Sequence, residues 1–153
     1  MIKLSDVLPE NYKIVMVGTN ENIDKQVPSN VLSIHRTDSQ QELCEIYSIA
    51  DVFANPTRED TFPTVNLEAL ACGTPVVTFA TGGSPECIDE TCGIVVPIDD
   101  IEAMRRAVIH VCEDVPFSRD ACLDRAKKFD QHVMYDQYVD MYEEVGKRNT
   151  SRW

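Results

Sequence analysis

Two carboxylates flank a loop that leads into a predicted helix. Asp60 and Glu68 have seven residues between them, and Pro63 precedes a helix that is predicted to begin near Thr64. The first amides of a helix lack an acceptor within the helix, and the helix dipole favours negative charge there, so this junction suits a phosphate. Carboxylates would repel that phosphate and are better acceptors for hydroxyl groups. Together these features fit a nucleotide-sugar that is held by its diphosphate.

The two acids are predicted to reach different parts of such a ligand. Glu68 lies about one turn into the helix and could accept hydrogen bonds from a ribose diol, whereas Asp60 precedes the helix and could reach the other end of the ligand. The alternative is that both acids only complement the helix N-terminus as solvated charges.

Two further segments are candidates for the same site. Gly82 and Gly83 stand between a predicted strand and the next helix, and their small size allows close backbone approach. An ordinary strand-to-helix turn would explain them equally well. Arg36 follows another strand and could contact a phosphate or base, or form a surface ion pair with an acid such as Asp38.

Short apolar strands alternate with helices along the chain, which indicates parallel βαβ units. The predicted fold is α/β, with an open, doubly wound, Rossmann-like parallel sheet in three α/β/α layers. Ligands of such sheets bind at the carboxyl ends of the strands. The predicted strands are 13–17, 31–34, 51–54, 75–79 and 93–97. The predicted helices follow capping pairs at Asp38/Gln41 and Asp99/Glu102, or cover 64–73, 118–129 and 134–145, with a loop at 19–30 and a frayed tail at 147–153.

Length and charge limit the function classes. The chain of 153 residues is predicted to be one domain, 1–153, with an α/β core at 12–129 and a last helix at 131–147. Its net charge of −12 argues against nucleic acid and anionic membrane surfaces as partners. No apolar run is long enough to span a membrane, and the N-terminus lacks a secretory signal. The six scattered cysteines are predicted to be reduced thiols, which favours a cytoplasmic protein.

The motif sequences resemble a known family. Tyr47–Pro56, Glu59–Val77 and Thr81–Glu86 are similar to the C-terminal, donor-binding domain of glycosyltransferase family 4 enzymes, which have the GT-B fold. The likeness extends over about residues 12–145. It implies retaining transfer of a sugar from a nucleotide-diphosphate sugar to a glycan, polysaccharide or glycolipid acceptor, without a metal or other cofactor.

The resemblance also implies roles for individual residues. Glu68 matches the second acid of the family motif, which holds the ribose hydroxyls, and Asp60 takes the place of the first, which contacts the donor sugar. A loop shift would exchange Asp60 with Glu59. Thr61, Phe62 and Pro63 occupy the place of the family's glycine-containing turn beside the diphosphate and sugar. The segment around Arg36 matches the part that flanks the base.

Two departures from the family pattern predict that the chain is a fragment. Nothing before Lys13 matches the usual earlier strand and helix, which carry an arginine and a lysine for the diphosphate. The N-terminal acceptor domain is also missing, so the last helix would lack its partner. The protein is expected to be cytoplasmic, and the full-length protein could be membrane-peripheral. A non-catalytic Rossmann-like nucleotide-binding module and a nucleotide-sugar epimerase-like domain are the alternatives.

Overall fold

Five short strands, all parallel, alternate with eight helices in the described part of the chain. The computed structural model describes residues 1–150, and of 148–150 only the backbone. The strands are β1 (Ile14–Val17), β2 (Val31–Ile34), β3 (Phe53–Asn55), β4 (Val76–Phe79) and β5 (Gly93–Val96). The helices are α1 (Ile2–Ser5), α2 (Glu21–Asp24), α3 (Gln40–Ile49), α4 (Thr64–Ala71), α5 (Ser84–Cys87), α6 (Ile101–Asp114), α7 (Arg119–Lys127) and α8 (Gln131–Thr150).

The strands form two separately hydrogen-bonded parallel sheets. One contains β1 and β2, and the other has the order β3-β4-β5. The parallel α/β fold is therefore confirmed, but the single open sheet that the sequence predicts is divided in two within the described residues. Side chains join the two parts instead of a backbone ladder: Ile14 of β1 belongs to the same buried cluster as Val77 and Phe79 of β4.

Strand β4 is the centre of the fold, and all four of its residues are buried. Because successive side chains of a strand point to opposite faces, β4 serves two cores. Val77 and Phe79 pack with Leu4 and with one face of α6. Val76 packs on the other face with residues of α4, α5 and α7, namely Leu70, Cys87 and Cys122. Helices thus cover both faces of the β3-β4-β5 sheet, as the predicted three-layer arrangement requires.

Two predicted helix caps shift by one residue. Ser39, not Asp38, caps α3: its backbone is extended and its Oγ accepts from the amide of Glu42 at 3.1 Å. Asp100, not Asp99, caps α6 by accepting from the amide of Ala103 at 2.8 Å. A capping side chain accepts a hydrogen bond from the backbone amide three residues further on, and Ser39 and Asp100 are the residues that do so here.

Three other helices differ from the prediction in presence or length. The predicted loop 19–30 contains the short helix α2, because Asn20 Oδ1 accepts from two of its amides. Helix α1, which the sequence did not predict, places Leu4 in the core, before the start of the predicted core at residue 12. Helix α8 continues to Thr150 although fraying is predicted from Lys147, and residues 151–153 lie outside the described residues.

Truncation of Leu4 should test the contribution of α1. Leu4 is 1% exposed, so Leu4→Ala should lower the free energy of unfolding by about 2–5 kcal/mol through lost burial and a residual cavity. The matched control is Leu32→Ala, because Leu32 is 59% exposed and should lose less than about 1 kcal/mol. Urea unfolding followed by circular dichroism measures both values. Equal losses would show that α1 does not pack as described.

Candidate functional site at the carboxyl ends of β3 and β4

The loop between β3 and α4 carries the first of the two acids. Asp60 is partly buried, and its Oδ1 accepts a hydrogen bond from the amide of Phe62 at 3.0 Å. This bond closes a local turn. Pro63 follows the turn and directly precedes α4. The turn fixes the direction of the Asp60 carboxylate, whereas Thr61 and Phe62 remain exposed.

The N-terminus of α4 has the free amides that the sequence predicts. Buried Pro63 precedes the helix with an extended backbone, and no side chain of the described residues caps the first turn. The amide of Asn66 donates back to the Pro63 carbonyl at 3.0 Å. Thr64 is exposed at the first position of the helix. An anion could therefore approach the first amides, and their role in holding a diphosphate stays a prediction.

The glycine turn after β4 packs directly on the Asp60 loop. The Gly83 amide donates to the Thr61 carbonyl at 2.9 Å. A Cβ at Gly82, where φ is +48°, would overlap the Asp60 carbonyl oxygen, and one at Gly83 would crowd Thr61 and Phe62. The structure thus brings Gly82 and Gly83 together with Asp60–Phe62. The Gly83 amide already has an acceptor in the protein, so its contribution to ligand binding remains a prediction.

Glu68 lies in a different environment from Asp60. It is exposed on α4, where the Tyr47 hydroxyl of α3 donates to its Oε2 at 3.4 Å. Burial, then the negative charge of Glu68, raises the pKa of Tyr47, so the phenol stays a proton donor. Asp60 borders the glycine turn and Glu68 borders α3. The two acids thus lie in separate surroundings, and their contacts with different parts of one ligand stay a prediction.

A buried polar group beneath the junction was not predicted from the sequence. Asn66 of α4 is fully buried, and its Oδ1 accepts from the Asn55 side chain at the end of β3, at 2.8 Å. Thr78 Oγ1 of β4 donates to the Asn55 carbonyl at 3.1 Å. These bonds tie the first turn of α4 to two strand ends. The sequence held one signal of this buried polar group, because Asn66 is a polar residue between apolar Val65 and Leu67.

Some buried polar atoms at this edge have no hydrogen-bond partner within the described residues. They are Thr81 Oγ1, Ser84 Oγ and Asn66 Nδ2. The Asn66 amide nevertheless lies close enough to the Cys87 thiol to influence its pKa, so its isolation is less complete than that of the two hydroxyls. All three belong to segments that meet at the junction. Buried polar atoms of this kind are usually satisfied by a ligand or by water.

Arg36 is not connected to the two acids. It is exposed after β2, and no hydrogen bond or ion pair in the described residues joins it to Asp60, Glu68 or Asp38. Its neighbour His35 is paired with Asp24 of α2 at 2.7 Å, which orders the end of β2. The predicted contact of Arg36 with a base or phosphate therefore stays a prediction.

Two other arginines near the junction have protein partners. Arg58 is a cation of the Asp60 loop, and its Nε forms an ion pair with Asp99 Oδ1 at 2.6 Å. This pair neutralises the Arg58 charge. Arg125 of α7 donates to the carbonyls of Glu86 and Cys87, and its guanidinium lies 4.9 Å from the Phe129 ring centroid. Arg125 thereby fastens α7 to the segment that follows the glycine turn. It is a structural residue that sequence reasoning missed.

Metal-binding clusters, membrane-spanning helices and clefts are the remaining features of the described residues to place relative to the site. No group of three or more His, Cys, Asp or Glu side chains there is arranged to hold a metal ion. None of the helices there has the length and hydropathy needed to cross a bilayer. A cleft of about 590 Å³, lined by Gly93, His110 and Phe117 among others, lies where β5 begins and is distant from the carboxyl edge.

The family is decided by comparison with known proteins. The family model described as "Glycosyl transferases group 1" matches residues 2–114, about three quarters of the chain. The chain belongs to this family of glycosyl transferases.

Curated relatives of this glycosyl transferases group 1 domain are glycosyltransferases. The D-inositol 3-phosphate glycosyltransferase of Saccharomonospora viridis is 38% identical over 110 residues, which are 69% of this chain and 25% of that protein. A GDP-mannose-dependent monoacylated alpha-(1-6)-phosphatidylinositol monomannoside mannosyltransferase of Corynebacterium glutamicum is 31% identical over 63% of the chain and 27% of its own length. The chain spans about a quarter of the curated relatives that it matches.

Solved structures show the same fold at lower identity. Anabaena HepE, solved in complex with UDP, has a TM-score of 0.76 at 17% identity, over 94% of this chain and 44% of that one. Sucrose-phosphate synthase of Thermosynechococcus elongatus has a TM-score of 0.70 at 20% identity, over 96% and 49%. These matches confirm a Rossmann-like part of a GT-B fold for this group 1 domain.

Replacement of Gly82 by alanine should test the contact between the two loops. The new Cβ would combine positive-φ strain with overlap on Asp60, so we expect a loss of about 2–4 kcal/mol in unfolding free energy. Gly18→Ala is the matched control, because Gly18 has φ +82° but nothing within 4 Å of the new Cβ, and should lose about 1 kcal/mol. Urea titration measures both. Similar losses for the two variants would contradict the close packing.

Proposed function

We propose that this chain is the donor-binding domain of a retaining glycosyltransferase of family 4, which transfers a sugar from a nucleotide-diphosphate sugar to a glycan, polysaccharide or glycolipid. The observation that carries the proposal is the arrangement of the junction. Two acids of the family motif lie in separate surroundings, and the helix N-terminus between them has no side-chain cap. One end of that arrangement suits hydroxyl groups, and its centre suits a diphosphate.

Each part of the donor then has a partner. The first amides of α4, at Thr64, hold the diphosphate and stabilise the negative charge that develops on it as it leaves. Glu68 accepts hydrogen bonds from the ribose hydroxyls. Asp60 accepts from hydroxyls of the sugar, and its charge stabilises the positive charge that forms at the anomeric carbon. Asp60 is our choice over Glu59, because a backbone hydrogen bond orients its carboxylate.

In this proposed donor site the diphosphate is held without a metal ion. The helix N-terminus supplies positive potential to the diphosphate, and Thr61, Phe62 and Pro63 form the wall beside it. Arg36 lies toward the base. The donor base itself is open between uridine and guanosine, since HepE was solved with UDP and with UDP-glucose and the Corynebacterium relative is named as GDP-mannose-dependent.

We further propose that the chain is part of a longer, cytoplasmic protein with an acceptor domain. The chain spans about a quarter of its curated relatives and under half of the matched HepE structure. Within the described residues the two sheets share no hydrogen-bonded ladder, which supports an additional strand between them. Most apolar side chains of α8, Tyr138 and Tyr142 among them, are more than half exposed, which supports a partner domain over this helix.

Charge removal at the two acids should affect different parts of the ligand. Glu68→Gln should weaken binding of UDP or GDP by about tenfold, because hydrogen bonds to a charged acceptor exceed those to a neutral one. Asp60→Asn should leave nucleotide binding unchanged and reduce the additional affinity for the matching nucleotide-sugar. Isothermal titration calorimetry with UDP, GDP, ADP and their glucose or mannose derivatives measures both effects.

The matched control for these variants is Glu59→Gln, which removes the same charge from the exposed neighbour of Asp60. Glu59→Gln should bind both classes of ligand as the parent does, with unfolding midpoints unchanged in all variants. If Glu59→Gln rather than Asp60→Asn loses the sugar effect, the first acid is Glu59. If no nucleotide binds the parent at millimolar concentration, the donor site is refuted.

The isolated chain should bind a donor without transferring its sugar, because the acceptor domain lies outside it. We expect no release of UDP or GDP above background with phosphatidylinositol or a simple sugar as acceptor, in a coupled assay for the free nucleotide. Measurable transfer by this chain would refute the need for a second domain. Binding without transfer by a longer protein would instead favour a non-catalytic nucleotide-binding module.

A further inference from the structure

Two thiols from different helices meet beside the candidate site. Cys44 lies on α3 and is exposed, whereas Cys72 follows α4 and is buried. Their sulfur atoms are 3.0 Å apart although 28 positions separate them in the chain. A disulfide bond needs about 2.05 Å between sulfurs, so an approach of about 1 Å would close it.

Contacts around the two thiols hold α3 against the segment that follows α4 and against β3. Thr74 Oγ1 donates to the carbonyl of Tyr47 at 2.5 Å, and the Tyr47 ring packs edge-on against Phe53 with centroids 5.3 Å apart. Both contacts lie within one turn of the thiols. Cys44 and Cys72 therefore meet because α3 and the end of α4 pack together.

The other four cysteines lack this combination of exposure and proximity to a second thiol. Cys87, Cys92 and Cys122 are fully buried, and Cys112 is partly buried on α6. Burial raises the pKa of each of these four thiols, to about 11 for Cys87, Cys112 and Cys122. A thiol that is both protonated and shielded reacts slowly with a disulfide in solution.

We propose that Cys44 and Cys72 form a reversible disulfide that joins α3 to α4 when the protein meets a small disulfide such as oxidised glutathione. The Cys44 thiolate attacks one glutathione sulfur, and the first glutathione thiolate leaves. Cys72, after losing its proton to solvent, attacks the Cys44 sulfur and displaces the second glutathione thiolate. The two protein thiols lose two electrons and two protons, and glutathione disulfide becomes two molecules of glutathione.

The order of the two attacks follows from exposure and protonation. Of the two thiols, Cys44 is exposed and Cys72 is buried, so a reagent in solution reaches Cys44 first. Burial, followed by the contact with Cys44, raises the pKa of Cys72 to about 11, so this thiol is protonated at neutral pH. Because burial holds the Cys72 pKa above its ordinary value, ring closure should accelerate as the pH rises above neutral, in step with the thiolate fraction.

The bond would close beside the proposed ribose-binding acid. Cys72 is one helical turn beyond Glu68, and Cys44 is nearly one turn before Tyr47, which donates to Glu68. Oxidation would thus restrain the two helices that border Glu68. The disulfide itself does not depend on the proposed donor site, since it requires only the two thiols.

Treatment of the whole chain with oxidised glutathione tests the proposal. The mass should fall by the two hydrogens lost, and four of the six cysteines should then react with iodoacetamide in denaturant. Peptide mapping should find Cys44 linked to Cys72. The unfolding midpoint should rise by about 5–10 °C, because the bond closes a long loop of the unfolded chain, and dithiothreitol should reverse the change.

Serine variants supply the controls. Cys44→Ser and Cys72→Ser should each abolish the paired loss of reactive thiols and the rise in midpoint, whereas Cys112→Ser should retain both. If buried Cys72→Ser fails to fold, exposed Cys44→Ser carries the comparison alone. A glutathione group that stays on Cys44, a disulfide between two chains, a link between other cysteines or six reactive thiols after oxidation would each overturn the proposal.

Discussion

The close approach of two backbone segments is the constraint on which the candidate site depends. The turn at Gly82 and Gly83 lies so near Asp60 and Thr61 that neither glycine has room for a Cβ. The loop that carries Asp60 has no regular secondary structure, so its shape must come from such contacts. A single amide-to-carbonyl bond, from Gly83 to Thr61, fixes the position of one segment on the other.

Aromatic packing holds the other side of the same loop. The Phe62 ring contacts Phe129 with centroids 5.9 Å apart, and Arg125 lies over the Phe129 ring. Arg125 also donates to the carbonyls that follow the glycine turn. The loop is therefore held between the glycine turn and Phe129, which follows α7, and Arg125 of α7 is bound to the segment after that turn. Displacement of any one of the three would disturb the direction of the Asp60 carboxylate.

The polar group beneath α4 has a different task. Unpaired polar atoms cost free energy in a protein interior, so an apolar residue at Asn66 would be simpler if only packing mattered. The bond from Asn55 to Asn66 instead specifies how the first turn of α4 sits over the end of β3. Thr78 fixes Asn55 in turn. Directional bonds of this kind position the helix amides more narrowly than apolar contacts would.

Local sequence signals predicted the elements that form the junction. Pro63 before α4, Gly73 after it and the apolar run of β4 each act through their own backbone or side-chain chemistry, and the structure has all three where they were predicted. Contacts between distant segments could not be predicted in this way. The Cys44–Cys72 and Arg58–Asp99 pairs depend on how helices and loops meet in space, and the cap shifts depend on a single residue of register.

Because the sheet has two parts, the relative positions of the candidate site residues are not all fixed by the same kind of contact. Asp60, Glu68 and the glycine turn all belong to the β3-β4-β5 half, where ladders and directional bonds set their relative positions. Arg36 belongs to the β1-β2 half, which adheres through apolar side chains such as Ile14 and Met16. Apolar contact is not directional, so it fixes distance better than register. In the proposed donor site the residues for the ribose and sugar ends therefore lie on segments joined to one sheet, whereas the base end depends on how firmly the two halves are joined.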